Sequence, residues 1–255
     1  FAAPTIMAGN VVILKHASIC AGVGNAIAEL FIKSGFPSGV FQHILMNKET
    51  VASVIANEKV VGVTLTGSDE TGRIVASAAG AHLKKSMLEL GGSDPYIVLA
   101  DADLALAARC IVASRLNNTG QVCIAAKRVI VVKDVLDELV QYLINEIKQY
   151  KMGDPLDLAT KMGPMARSDL RKTLHEQVTA SIAQGAQLVL GGEIPHGLGF
   201  YYPPTLLTSV EPGMPAFDEE LFGPVVAVIA ASSESEAIRL ANQTRYGLGA
   251  AVFTQ

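Results

Sequence analysis

Short β-branched and aliphatic runs alternate with segments of helical spacing along most of the chain, and this alternation constrains the fold more than any other feature. Residues 10–14 (NVVIL) read as a strand ending at Lys15. Helical spacing follows over 23–33, where Ile27, Leu30 and Phe31 share a face and Gly35-Phe36-Pro37 supplies the stop. Residues 40–45 and 60–65 read as further strands, 51–56 and 70–79 as helices, and 85–90 as a fourth strand. Gly91-Gly92-Ser93-Asp94-Pro95 is the best internal boundary, with glycines and a proline as punctuation. Beyond it come strands over 96–99, 128–132, 187–190, 225–230 and 250–253, and helices over 104–116, 135–150, 168–184 and 233–242. Within 135–150, Leu136, Leu139, Val140, Leu143 and Ile147 form an amphipathic stripe. This rhythm predicts an α/β protein with parallel, doubly wound, Rossmann-like sheets in two domains, 1–90 and 91–255.

Half of the 255 residues are apolar, enough for one large core or two smaller ones. A net charge of −4 without a basic tract offers no surface for nucleic acid. Cys20, Cys110 and Cys123 are odd in number, widely spaced and not in CxxC, the usage of a reducing, cytoplasmic compartment rather than a disulfide framework. The five histidines form no HxxxH pair, so no metal is expected. No apolar run reaches the ~18 residues of a membrane span, so no membrane partner is expected either.

Two stretches carry candidate chemistry: Leu88-Glu89-Leu90-Gly91-Gly92 and Asn117-Asn118-Thr119-Gly120-Gln121-Val122-Cys123. A free thiol, with a pKa of roughly 8.5, is mostly protonated at neutral pH, so a cysteine nucleophile needs help. Cys123 sits in a polar, glycine-containing turn, and Glu89 ends an apolar run from which it could take a proton from a thiol or a water. The other reading of a lone cysteine is an apolar filler, and Cys110, inside the 104–116 helix, is read as packing. Gly67-Ser68-Asp69-Glu70-Thr71-Gly72 lies between a strand and a helix. Unpaired amides there favour an anion such as a pyrophosphate, or Ser68 simply caps the helix. Ala21-Gly22-Val23-Gly24 has the glycines of a dinucleotide fingerprint but does not follow a strand, so it is read as structural.

The blocks LELGGSDP (88–95) and NTGQVC (118–123), with AGNVVILK (8–15), TGSDETG (66–72) and EELFGP (219–224), stand in the order found in the aldehyde dehydrogenase superfamily. The chain resembles that family over essentially its whole length, and GGSDPYIVLADADL, NTGQVCIAAKR and KMGDP look most like its NAD(P)-dependent succinate-semialdehyde branch. The resemblance implies that Cys123 forms a thiohemiacetal and then a thioester with an aldehyde, and that Glu89 activates the hydrolytic water. It implies NAD or NADP as cofactor, with Lys15 at the adenosine ribose and Gly67 and Ser68 at the pyrophosphate turn. Glu220 would hold the nicotinamide ribose and Phe222 would pack beside the nicotinamide. Ser18 stands where many NAD-specific relatives carry a glutamate; a carboxylate there would repel a 2′-phosphate and a serine would not, so NADP is expected to be accepted as well as NAD. His16 replaces a usual proline, and Asn118 and Gln121 are expected to shape the turn.

A semialdehyde carboxylate is best paired by an arginine fork. Relatives of that branch carry one six residues before the nucleophile, where this chain has Asn117. Arg115 is the substitute candidate for the substrate, with an exposed helix-end cation as its other reading. The resemblance also implies a homodimer or homotetramer in the full-length enzyme. The family's Pro-Trp-Asn motif, whose Asn helps hold the oxyanion, cannot occur in a chain without tryptophan. The chain is therefore expected to be a fragment, impaired by roughly 10²–10³ in rate for want of that donor. A dehydrogenase for another aldehyde is one alternative. A truncated, non-catalytic relative that binds nucleotide or only assembles with partners is the other, and a CoA-acylating enzyme is disfavoured by Glu89.

Overall fold

In the computed structural model, which describes residues 1–255, the chain parts into two units, Phe1–Leu90 and Gly91–Gln255. The first contains α1 (Ala2–Met7), β1 (Val12–Leu14), α2 (Ala21–Lys33), β2 (Phe41–His43), α3 (Lys48–Ala56), β3 (Gly62–Thr66), α4 (Asp69–Ala81) and β4 (Lys85–Glu89). Its strands pair in parallel, but as two separate sheets, β1 with β2 and β3 with β4. Asn47 and Ser68 cap α3 and α4, each accepting from a main-chain N–H three residues on, which is why those helices start where they do. Ile55, Val75 and Ala79 form the buried centre of this unit, with Val63, Leu65 and Leu88 against it.

The second unit runs β5 (Asp94–Val98), α5 (Leu104–Leu116), β6 (Ala126–Val132), α6 (Leu136–Ile147), α7 (Ser168–Ala183), β7 (Gln187–Leu190), β8 (Thr205–Thr208), α8 (Pro215–Asp218), β9 (Val225–Ala231), α9 (Glu234–Asn242) and β10 (Ala251–Phe253). The strands make one sheet in the order β10-β5-β6-β9-β8-β7, parallel except that β7 runs antiparallel to β8 at the edge. All seven residues of β6 are buried, as expected of an inner strand covered on both faces. Alternation divides them: Val129 and Val131 pack with Ile111, Leu139 and Leu143 of α5 and α6. Ile130 packs on the opposite side with Leu174 and Val178 of α7 and Leu240 of α9. Because β5, β6, β9 and β10 are parallel, the segments leading into them lie along one edge of the sheet, and the chemistry collects there.

Candidate active site

The turn between α5 and β6 is bent far from ordinary backbone. Asn118, Thr119 and Gly120 all have left-handed φ, at 49°, 57° and 72°. For a β-branched residue such as Thr119 this costs on the order of 1–3 kcal/mol and persists only if neighbours enforce it. Thr119 Oγ1 donates to the Gly163 carbonyl at 3.1 Å. Asn118 Nδ2 donates to Gln121 O (3.2 Å), Gln121 Nε2 returns a bond to Asn118 O (3.1 Å), and Gln121 Oε1 accepts from the Ala166 amide (2.9 Å). Asn118 and Gln121 thus shape the turn. Gly120 packs directly on the Gly223–Pro224 main chain, where any Cβ would collide. The turn delivers Cys123, half-buried, just ahead of β6.

Beneath Cys123 lies a lysine that the sequence reading did not single out. Lys127, 1% exposed, donates through Nζ to the carbonyls of Cys123 (2.6 Å) and Val122 (3.0 Å). The same ammonium is 3.7 Å from Glu220 Oε1, which also accepts from the Gly92 amide at 3.0 Å. Gly92 lies so close to the turn that a Cβ would sit 2.6 Å from Cys123 O. The glycine pair, the nucleophile turn and the EELFGP loop therefore meet through main chain and one ion pair. Burial, then Arg115, pulls the Lys127 ammonium down to about 8, against the opposing pull of Glu220, Asp94 and Cys123.

Arg115 is placed where it cannot serve as a substrate fork, which corrects that expectation. It is fully buried, donating through Nε to Val225 O (2.6 Å) and through Nη2 to Leu221 O (2.5 Å) and Gly223 O. Helix α5 turns it into the core, so it is no exposed helix-end cation either. It clamps the loop carrying Glu220 and Phe222, and burial lowers it to about 9. Asn117 is exposed at the end of α5, and Phe222 is half-buried beside Leu221. Cys110 is exposed rather than packed. Arg128 is a second buried cation, donating to Ser93 O, Leu240 O and Ala241 O at 2.9–3.0 Å. Two adjacent cations inside the apolar run AAKRVIVV were the available signal for Lys127 and Arg128, because a buried strand tolerates charge only when it is partnered.

The remaining predicted residues belong to the first unit. Lys15 leaves β1 exposed and donates to His16 O at 2.7 Å, and Ser18 is exposed three residues on. His16 Nδ1 is 2.5 Å from His43 Nε2, and His43 Nδ1 is 2.6 Å from Asn25 Oδ1. Gly24 makes room for that pair, since a Cβ would meet the His43 ring, whereas Gly22 faces open space; both glycines lie within α2. The β3–β4 pairing brings Thr66 opposite Glu89, and the Gly67 amide donates to Glu89 O at 3.0 Å. Gly67, Ser68 and Glu89 are thereby neighbours, with the Glu89 side chain exposed. Ser68 Oγ accepts from the Thr71 amide at 3.3 Å as the cap of α4.

The aldehyde dehydrogenase family model matches residues 1–255. The chain is 47% identical over 253 residues to the succinate semialdehyde dehydrogenase [NAD(P)+] Sad of Escherichia coli, covering 99% of this chain and 55% of that protein. It is 45% identical to the succinate-semialdehyde dehydrogenase [NADP(+)] of Deinococcus radiodurans, over 100% of this chain and 53% of the relative. Among solved structures, succinic semialdehyde dehydrogenase from Streptococcus pyogenes in complex with NADP+ superposes with a TM-score of 0.97 at 38% identity, covering 100% of this chain and 56% of that one. The chain spans about half the length of the curated relatives it matches.

Proposed function

The chain belongs to the aldehyde dehydrogenase family, and from that premise we propose that it oxidises an aldehyde with NAD or NADP, succinate semialdehyde to succinate being the first choice. The geometry that carries the reading is Cys123, half-buried at the end of a turn held in left-handed conformation and tied from below to the Glu220 carboxylate. Backbone strain retained at Asn118 and Thr119, in the turn that leads to Cys123, suits a positioned nucleophile better than a filler.

In this reading the Cys123 thiolate adds to the aldehyde carbon to give a thiohemiacetal. The nicotinamide supplies the hydride acceptor when bound. Cys123 is then left acylated, Glu89 removes a proton from the water that cleaves the thioester, and the Cys123 amide donates to the oxyanion. The donor set suits a dinucleotide. Lys15 and Ser18 offer an exposed amine and hydroxyl, Gly67 brings side-chain-free backbone just before the Ser68 cap of α4, and Glu220 offers a carboxylate held by the Gly92 amide. Phe222 is assigned the nicotinamide face. Ser18 brings no negative charge against a 2′-phosphate, so Ser18→Glu is expected to weaken NADP relative to NAD by roughly tenfold or more in kcat/KM. A cytoplasmic homodimer or homotetramer is the form proposed for the full-length enzyme. The residue that pairs the semialdehyde carboxylate is not Arg115; Asn117, at the exposed end of α5, stays a candidate for the substrate.

Acid-quenching the Glu89→Gln variant during turnover tests the chemistry. An acyl group on the Cys123 peptide, read by mass spectrometry, is expected to accumulate while steady-state turnover falls by roughly 10²–10⁴. Undiminished turnover, or an acyl group on another residue, contradicts the assignment.

A further inference from the structure

Lys127 has no part in the chemistry assigned above, yet its ammonium is almost wholly buried at the start of the central strand of the second unit. A hydrophobic residue of similar volume would fill that space without the desolvation cost of a charge. The ammonium faces two main-chain carbonyls of the nucleophile turn, Val122 and Cys123, and the oxygen of Glu220 that the Gly92 amide also addresses. We propose that Lys127 is a positioning residue that ties the nucleophile turn to the Glu220 carboxylate, so that the thiol and the carboxylate assigned to the nucleotide are set as one unit. The inference rests on the reading of Cys123 as nucleophile and Glu220 as nucleotide ligand.

The groups around the ammonium are Arg115 from α5, Asp94 from β5, Glu220 from the loop before β9, and Cys123 from the turn itself. With the lysine lowered to about 8, the charged tie is complete below that pH and lost as pH rises through it. An arginine at the same place stays charged throughout. A lysine that merely fills space would leave both the thiol's reactivity and the nucleotide's affinity unmoved when the charge is lost.

The test uses the full-length enzyme as wild type, Lys127→Met and Lys127→Arg, from about pH 6 to about pH 10, with two readouts. One is the rate of iodoacetamide alkylation at the Cys123 peptide, resolved by mass spectrometry from Cys20 and Cys110. The other is the nucleotide KM, separated from kcat. Lys127→Met is expected to slow Cys123 alkylation roughly tenfold near neutral pH and to raise nucleotide KM roughly 10–100-fold. Wild-type nucleotide KM is expected to rise above about pH 8, and Lys127→Arg to move that rise to higher pH. Wild-type alkylation and KM in Lys127→Met overturn the proposal. Where that variant does not fold, a Lys127→Arg pH profile superposing on wild type overturns it. If wild type reduces no nucleotide with any aldehyde, the dehydrogenase reading fails, and the alkylation rates still decide whether Lys127 sets the turn.

Discussion

Thr119 and Gly120 hold the backbone conformation on which Cys123 depends, and only one of them can adopt it without penalty. Gly120→Ala would add left-handed strain and drive a Cβ into the Gly223–Pro224 main chain. The expected loss is about 3 kcal/mol in urea denaturation of the chain, from strain plus overpacking. A neutral effect would mean that the turn is not locked against the EELFGP loop. Lys127 makes a second residue-scale prediction. Its folded pKa of about 8 lies below its ordinary 10.5, so the unfolded chain binds the extra proton between those values. This group therefore disfavours folding below about pH 8, and that cost is relieved as pH rises toward 10.5. In a comparison of urea midpoints across that window, Lys127→Met should lack this rise. The motif around Cys123 was legible in the sequence. Its left-handed run was not, because only glycine advertises positive φ. A cation at a helix end is ordinarily solvated, so the sequence offers Arg115 to substrate or solvent, whereas α5 turns it onto three carbonyls.

At the scale of elements, long periodic segments were the readable ones. Helix α5 occupies Leu104–Leu116 as its pattern predicts, started by Asp103, whose Oδ1 accepts from the Leu106 amide at 2.9 Å. Asp103→Ala is expected to cost about 1 kcal/mol. The α6 stripe buries Leu139, Leu143 and Ile147, and Leu143→Ala should cost about 2–5 kcal/mol by thermal or urea unfolding. A loss below 1 kcal/mol would place that side chain outside the core, contrary to its zero exposure. The helical pattern carries three residues past Ile147, where α6 ends and the chain turns. Three short elements leave no readable pattern in the sequence: α1, α8 and strand β8, which follows Pro203-Pro204 and is too short to show a period. The antiparallel β7 and the division of the first unit's strands into two pairs were equally invisible, because pairing partners are chosen at long range.

For the whole molecule, the two units differ in how much apolar surface they enclose. The second has extensive buried clusters on both faces of its sheet, whereas the first buries few hydrophobic side chains and exposes Val11, Leu30, Val61 and Met87 by more than half. Hydrogen exchange on this chain should accordingly show weaker protection over Phe1–Leu90 than over β6 and β9. The break after Leu90 is marked in the sequence by its glycine pair and proline, and the α/β rhythm on either side announces the fold. The central claim, a Cys123-dependent aldehyde dehydrogenase with a semialdehyde substrate, is tested most directly by nucleotide reduction in the full-length protein. Succinate semialdehyde and a neutral aldehyde of the same chain length would be compared with NAD and with NADP, in wild type and in Cys123→Ala. The account predicts faster reduction with the semialdehyde, use of NADP as well as NAD, and no reduction in the variant. Equal or faster turnover of the neutral aldehyde would contradict the substrate, and reduction that survives in Cys123→Ala would contradict the chemistry itself.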